Sequence, residues 1–153
     1  MDLSYSESIV INHAPEDLYD MVSDVTRMGE WSPICAACWW DEGNSASVGS
    51  WFTGRNETPE RTWETRSLVV VAERGREFTF VVGGALIKWA YIFEPVASGT
   101  LVTESWEVLP DGIAFFAERY GNDADTEMAS RAQAARSGIP VTLAKIKQRA
   151  EEQ

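Results

Sequence analysis

The chain has 153 residues, 44% hydrophobic and 24% charged, the length and balance of one globular domain with a sizeable core and little room for a second. Thirteen Lys and Arg stand against 24 Asp and Glu, a formal charge of −11. A field of that sign repels phosphate, which argues against nucleic acid and anionic membrane as partners. The longest apolar stretches, around residues 68–72 and 78–87, fall well short of the ~20 residues a spanning helix needs. The N-terminal MDLSYSESIVINHAPEDLYD has neither the basic start nor the apolar run of a signal peptide. Two cysteines make no disulfide framework. A cytoplasmic protein is expected, built as a single domain over residues 1–153.

Residues 4–12 (SYSESIVIN) alternate and read as a strand. Pro15 suits a first helical position, and Glu16 and Asp17 favour the positive end of the helix dipole. Leu18, Met21, Val22, Val25 and Met28 follow at helical spacing, with a bend or split expected near Ser23 and Asp24 and an exit between Gly29 and Pro33. From Ile34 the pattern becomes six strands, over 35–41, 48–57, 61–74, 76–82, 86–94 and 100–109, separated by EGNS, TPE, RG, GG and PVASG. Connections this short imply antiparallel hairpins. A short helical segment is expected over 111–120, with Phe115 and Phe116 inward. In the last third Met128, Ala132, Ala135, Ile139, Leu143, Ile146 and Ala150 form a long amphipathic stripe, and Gly138 and Pro140 predict a kink near Ile139.

Alternation divides each strand into two faces. One face carries Trp89, Tyr91 and Phe93, then Phe78, Phe80 and Val82, then Val102, Glu104, Trp106 and Val108. Trp63, Thr65, Ser67 and Val69 join it unless a bulge in so long a strand shifts the register. Phe52, Gly54 and Asn56 also share a face, so Asn56 either reaches inward or ties down a turn. A curved sheet lined on one side by large aromatics, gripping a helix whose stripe is mostly Ala, Ile and Leu, predicts an internal cavity with aromatic walls and a few polar groups. A packed core is the simpler alternative.

The order of elements, together with INHAPEDLYDMVSDVTRMGEWSP, VGSWFTGRNE, RTWETRSLVVVAERGREFTF, WAYIFEP and GTLVTESWEV, resembles the SRPBCC (START-like) superfamily over about residues 4–150. It is most similar to the branch labelled polyketide cyclase/dehydrase. The resemblance implies an α+β helix-grip fold: a seven-stranded antiparallel sheet wrapped around a long C-terminal helix, with two short helices between the first two strands. It also implies a hydrophobic cavity. Members bind lipids, sterols, quinones, plant hormones or polyketides, and some are aromatase/cyclases. These motifs are signatures of fold more than of any reaction.

Cys35-Ala36-Ala37-Cys38 matches a Cys-x-x-Cys pattern. Zinc would need more ligands than this pair and the lone His13, which lies in another element, can supply. A thioredoxin-like pair opens a helix, whereas this one begins a strand. Positions i and i+3 of a regular strand face opposite sides, ~10 Å apart, so both thiols are expected to be free and without a role in activity. A single histidine argues against a multi-histidine metal site and against a Ser or Cys triad. Gly83-Gly84 and the spaced Gly49, Gly54 and Gly75 read as hairpin turns and a bulge, not phosphate loops. No metal and no cofactor is expected.

Glu104 is the most informative residue. It lies between Val102 and Trp106 on the apolar face, where a carboxylate is costly unless paired or protonated. Either an inward arginine, Tyr91 or Thr65 ties it down, or its pKa is raised and it anchors a ligand hydroxyl or moves a proton. The expectation is a domain that binds a small hydrophobic, aromatic or polycyclic molecule between sheet and helix. Its contacts would be Asn56, Trp63, Thr65, Phe78, Phe80, Trp89, Tyr91, Glu104, Trp106, Ile139 and Leu143. One alternative is an aromatase/cyclase or dehydratase acting on a polyketide-type chain, with Glu104 and Tyr91 as catalytic proton donor or acceptor. Another is a quinone or lipid carrier. The sequence leaves monomer and homodimer both open.

Overall fold

The computed structural model describes residues 2–152. Strand β1 (Ser4–Ile11) leads into helix α1 (Pro15–Val22), which has Pro15 in its first turn and Glu16 and Asp17 beside the unpaired amides. The split falls where the sequence places it. α1 ends at Ser23, and Asp24 accepts from the Thr26 amide at 3.2 Å to start a separate 3-10 helix, Val25–Glu30. Strands β2 (Cys35–Trp40), β3 (Trp51–Thr58), β4 (Arg61–Glu73), β5 (Glu77–Val82), β6 (Ile87–Val96) and β7 (Gly99–Val108) follow. Helix α2 (Pro110–Tyr120) and a single 3-10 turn lead into α3 (Ala124–Glu151).

All strands join one antiparallel sheet of seven, in the order β1-β7-β6-β5-β4-β3-β2. α1 and the 3-10 helix carry the chain from β1 to the far edge, and five hairpins then bring it back strand by strand until β7 pairs with β1. Gly99 makes that return possible. Its φ is +141°, and a Cβ there would lie 2.2 Å from the Ile11 carbonyl oxygen. The second half of α3 runs along β1, with Arg136 beside Asp2, Lys147 donating to the Val10 carbonyl and Glu151 accepting from the Asn12 amide. Ala132 and Ala135 let it approach the sheet closely, and Met128, Ile139, Leu143, Ile146 and Ala150 complete the buried stripe.

Three local expectations are refined. The bulge in β4 falls between Val69 and Val71, after the inward run from Trp63 to Val69, so that run keeps its face. α3 continues through Pro140 to Glu151 as one helix. Phe116 is buried but Phe115 is 44% exposed, because successive residues on a helix point about 100° apart and only one can meet the core. Among the described residues no helix is long and apolar enough to cross a membrane.

Candidate functional site

The strand alternation of β7 turns Val102, Glu104 and Trp106 inward and leaves Glu107 exposed. Glu104 is 3% exposed and stands opposite Tyr91 of β6, whose hydroxyl donates to Oε2 at 3.0 Å. The other oxygen, Oε1, is buried with no partner among the described residues. Nor is any Lys, Arg or His buried among those residues, so the inward arginine that could have neutralised Glu104 is not there. Burial pushes the Glu104 carboxyl up from 4.5 to about 8, and the Tyr91 hydrogen bond pulls it only part of the way back. Glu104 therefore holds its proton at neutral pH. Burial and the adjacent Glu104 in turn raise the Tyr91 hydroxyl well above its ordinary value. The outcome is a neutral acid with one unmet oxygen inside an apolar interior, a deficit of about 1–3 kcal/mol.

A second polar group lies on β3 and β4. Asn56 is buried and points inward, and its Nδ2 donates to Thr65 Oγ1 at 3.2 Å. Between them Gly54 leaves a niche. A Cβ at that position would sit 3.7 Å from Thr65 Oγ1, 3.8 Å from Cys35 Sγ and 3.9 Å from Asn56 Oδ1. Cys35 also raises the Tyr91 hydroxyl electrostatically, so this group lies within electrostatic reach of the Glu104–Tyr91 pair.

The placement of Cys35 corrects the reading that the two cysteines face opposite sides. A bulge between Cys35 and Ala37 absorbs one residue, so Cys35 pairs with Asn56 and Cys38 with Gly54. These partners are two apart on β3, hence on one face, and both thiols point inward, free and buried. Their mutual contact holds the Cys35 thiol below its usual value, and that contact together with burial pushes Cys38 far above.

Along the inner face of the sheet the aromatic side chains pack against one another. Phe52 and Phe80 meet edge to face with ring centroids 5.0 Å apart, and Phe78 lies 5.8 Å from Phe80. Tyr19 of α1 packs on Phe78 and Phe93 at 6.3 and 5.8 Å. Ile139 and Leu143 of α3 and Trp106 of β7 are buried in the same core. Trp89 and Trp63 are only half-buried. Trp63 stands at the β3–β4 hairpin end of the sheet, where the Arg61 guanidinium covers its ring at 4.1 Å. Two concavities open at the surface. One, of about 310 Å³, is lined by His13, Asp17, Asp20, Met21, Asp24 and Arg27, and one of about 410 Å³ lies over Tyr5, Ser105 and Trp106. Neither touches Glu104 or Tyr91. Sequence reasoning missed Tyr19, Phe52 and Cys35 as members of this interior. The shared face of Phe52 and Asn56 was a usable signal for Phe52, whereas nothing local announced the bulge that turns Cys35 inward.

A twisted antiparallel sheet of seven strands closed on a long C-terminal helix, with aromatic walls and one buried acid, defines a helix-grip domain. The chain belongs to the family described as polyketide cyclase / dehydrase and lipid transport, whose profile matches residues 2–151. It is 48% identical to the Polyketide_cyc-like protein Cgl2372 from Corynebacterium glutamicum. That solution structure superposes with a TM-score of 0.72 over 99% of this chain and 93% of the other. The di-domain ARO/CYC protein StfQ of the steffimycin biosynthetic pathway matches with a TM-score of 0.72 at 16% identity, over 98% of this chain and 51% of its own. Protein NE0264 from Nitrosomonas europaea matches with a TM-score of 0.73 at 11% identity, over 99% and 97%. At the last two identities the likeness is one of fold alone. No curated protein matches the chain.

Proposed function

We propose that this domain binds a small, uncharged, hydrophobic molecule between the sheet and α3, with Glu104 as its polar anchor. The unpartnered Oε1 of Glu104 carries the reading. A buried acid with an unmet oxygen costs stability, and a ligand hydrogen bond is what would recover it. Protonated at neutral pH, the group can donate or accept. A ketone, phenol or alcohol finds a match there, whereas a carboxylate or phosphate finds no counter-charge. Asn56 and Thr65 offer further hydrogen bonds, and Phe78, Phe80, Trp89, Trp106, Ile139 and Leu143 supply the apolar contact. The family's description, which joins polyketide cyclisation and dehydration with lipid transport, supports a hydrophobic cargo.

The test is a titration with Nile red, a neutral solvatochromic dye, followed by competition with a polycyclic phenol and its carboxylate isostere. Saturable one-to-one uptake by the native protein, reversed by the phenol and not by the carboxylate, is expected. Dye uptake only as the protein unfolds would mean that the interior is packed core and nothing more.

One observation favours a second reading, catalysis of aldol closure and water loss on a polyketide-type chain. A carboxyl group at about 8 beside a tyrosine hydroxyl is poised to give or take a proton near neutral pH. Glu104→Gln separates the two. A binding protein loses about tenfold in affinity, the scale of one altered hydrogen bond. A cyclase loses ~100-fold in turnover while still binding its substrate.

A further inference from the structure

Cys35 and Cys38 are interior groups that ligand binding leaves unused. Both side chains lie on the inner face of β2, turned there by the bulge, opposite positions two apart on β3, and each thiol perturbs the ionisation of the other. Cys38 pairs with Gly54, so no side chain of β3 stands opposite it. The bulge is also the one stretch of β2 out of ladder register, and a backbone already released from regular pairing can adjust as a short ring closes across it. Cys35 is 6% and Cys38 7% exposed, so small oxidants are the candidates to reach them.

We propose that Cys35 and Cys38 form a reversible dithiol–disulfide site that small hydroperoxides oxidise, with Cys35 as the attacking sulfur and Cys38 as the resolving one. The order follows from the pair's asymmetry: contact with Cys38 favours the Cys35 thiolate, while Cys38 stays protonated. The Cys35 thiolate attacks one oxygen of hydrogen peroxide. The O–O bond breaks, and the departing hydroxide takes up the proton that Cys35 released, giving water and a Cys35 sulfenic acid. The Cys38 sulfur then attacks the Cys35 sulfur, the S–O bond breaks, and the hydroxide leaves with the Cys38 proton as a second water. Two thiols and one peroxide become one disulfide and two waters, and the two electrons pass from sulfur to peroxide oxygen. Closure withdraws the Cys35 thiol from the Ala37 carbonyl, which it meets at 3.4 Å, and shifts its sulfur beside Gly54, Asn56 and Thr65. Oxidation therefore alters the polar end of the interior. The chemistry stands whether or not a ligand binds there.

The experiment exposes the folded, reduced protein to hydrogen peroxide and follows intact mass, with peptide mapping after alkylation. Loss of two hydrogens is expected, mapped to an intrachain Cys35–Cys38 bond and reversed by dithiothreitol. Cys38→Ser should accumulate a sulfenic acid at Cys35 that dimedone traps, and Cys35→Ser should react ~10-fold or more slowly. Circular dichroism checks that both variants fold; if either does not, the wild-type map decides alone. A native protein that gives no disulfide, that passes directly to sulfinic acid, or that closes the bond only in denaturant overturns the proposal. Dimedone trapped on Cys38 in the wild type overturns the assigned order.

Discussion

Replacing Glu104 by Gln removes one titrating proton from the interior and keeps the shape and an oxygen that can accept from Tyr91. The folded protein holds the Glu104 proton up to about pH 8, against 4.5 for the ordinary carboxyl. The folded state therefore binds that proton more tightly than the unfolded chain does. Stability from this group is fully present below about pH 4.5 and is lost as pH rises through about 8. The difference, 8 − 4.5, is about 3.5 pH units, or on the order of 5 kcal/mol at full ionisation. Between pH 5 and pH 8 the loss is on the order of 3 kcal/mol. Since Glu104 is 3% exposed, little solvent screening reduces it. Urea unfolding at pH 5, 6, 7, 8 and 9 measures the effect in wild type, Glu104→Gln and the exposed control Glu107→Gln. All other titrations are common to the three proteins and cancel in the difference. Wild type and Glu107→Gln should lose stability relative to Glu104→Gln with a slope approaching about 1.4 kcal/mol per pH unit. Parallel curves for all three would show that Glu104 titrates as a solvated group, and the inward register of β7 would be refuted with it.

Gly54→Ala should fold normally, since its methyl meets Thr65, Cys35 and Asn56 at 3.7–3.9 Å, ordinary contact distances. It fills the niche between them, so Nile red should bind severalfold more weakly; unchanged affinity would remove the niche from the site. Phe78→Ala deletes a fully buried ring packed on Tyr19 and Phe80. It should cost about 3–5 kcal/mol in chemical denaturation, and a cost below about 1 kcal/mol would contradict the close packing. Arg74 makes a two-pronged hydrogen bond to Asp20, at 2.9 and 2.7 Å, yet both side chains are more than half exposed. Asp20→Asn should therefore shift stability by less than about 1 kcal/mol, and a larger loss would mean that this pair pins α1 to the β4–β5 turn.

The residues that were legible in advance are those whose environment is decided within a few positions. Period-two alternation turned Glu104 in and Glu107 out, and the GG and RG connections allow only tight hairpins; both are local effects of backbone geometry. The split between Val22 and Val25, and the buried faces of Ala132, Ile139 and Leu143, follow in the same way from helical period and capping. What the sequence by itself determined was thus the order of elements and an acid committed to the interior, while its family resemblance implied the helix-grip architecture. Other features rest on partners far along the chain. Tyr91 as the donor to Glu104 depends on the β6–β7 register, and the meeting of Asn56, Thr65 and Cys35 over Gly54 depends on three strands at once. The bulge at Cys35 relieves a mismatch between β2 and β3 that neither strand carries alone. The packing of Tyr19 on Phe78 and Phe93 depends on how α1 approaches the curved sheet. Only the tertiary structure decided these points, because each is a compromise among side chains that meet when the sheet closes on its helix.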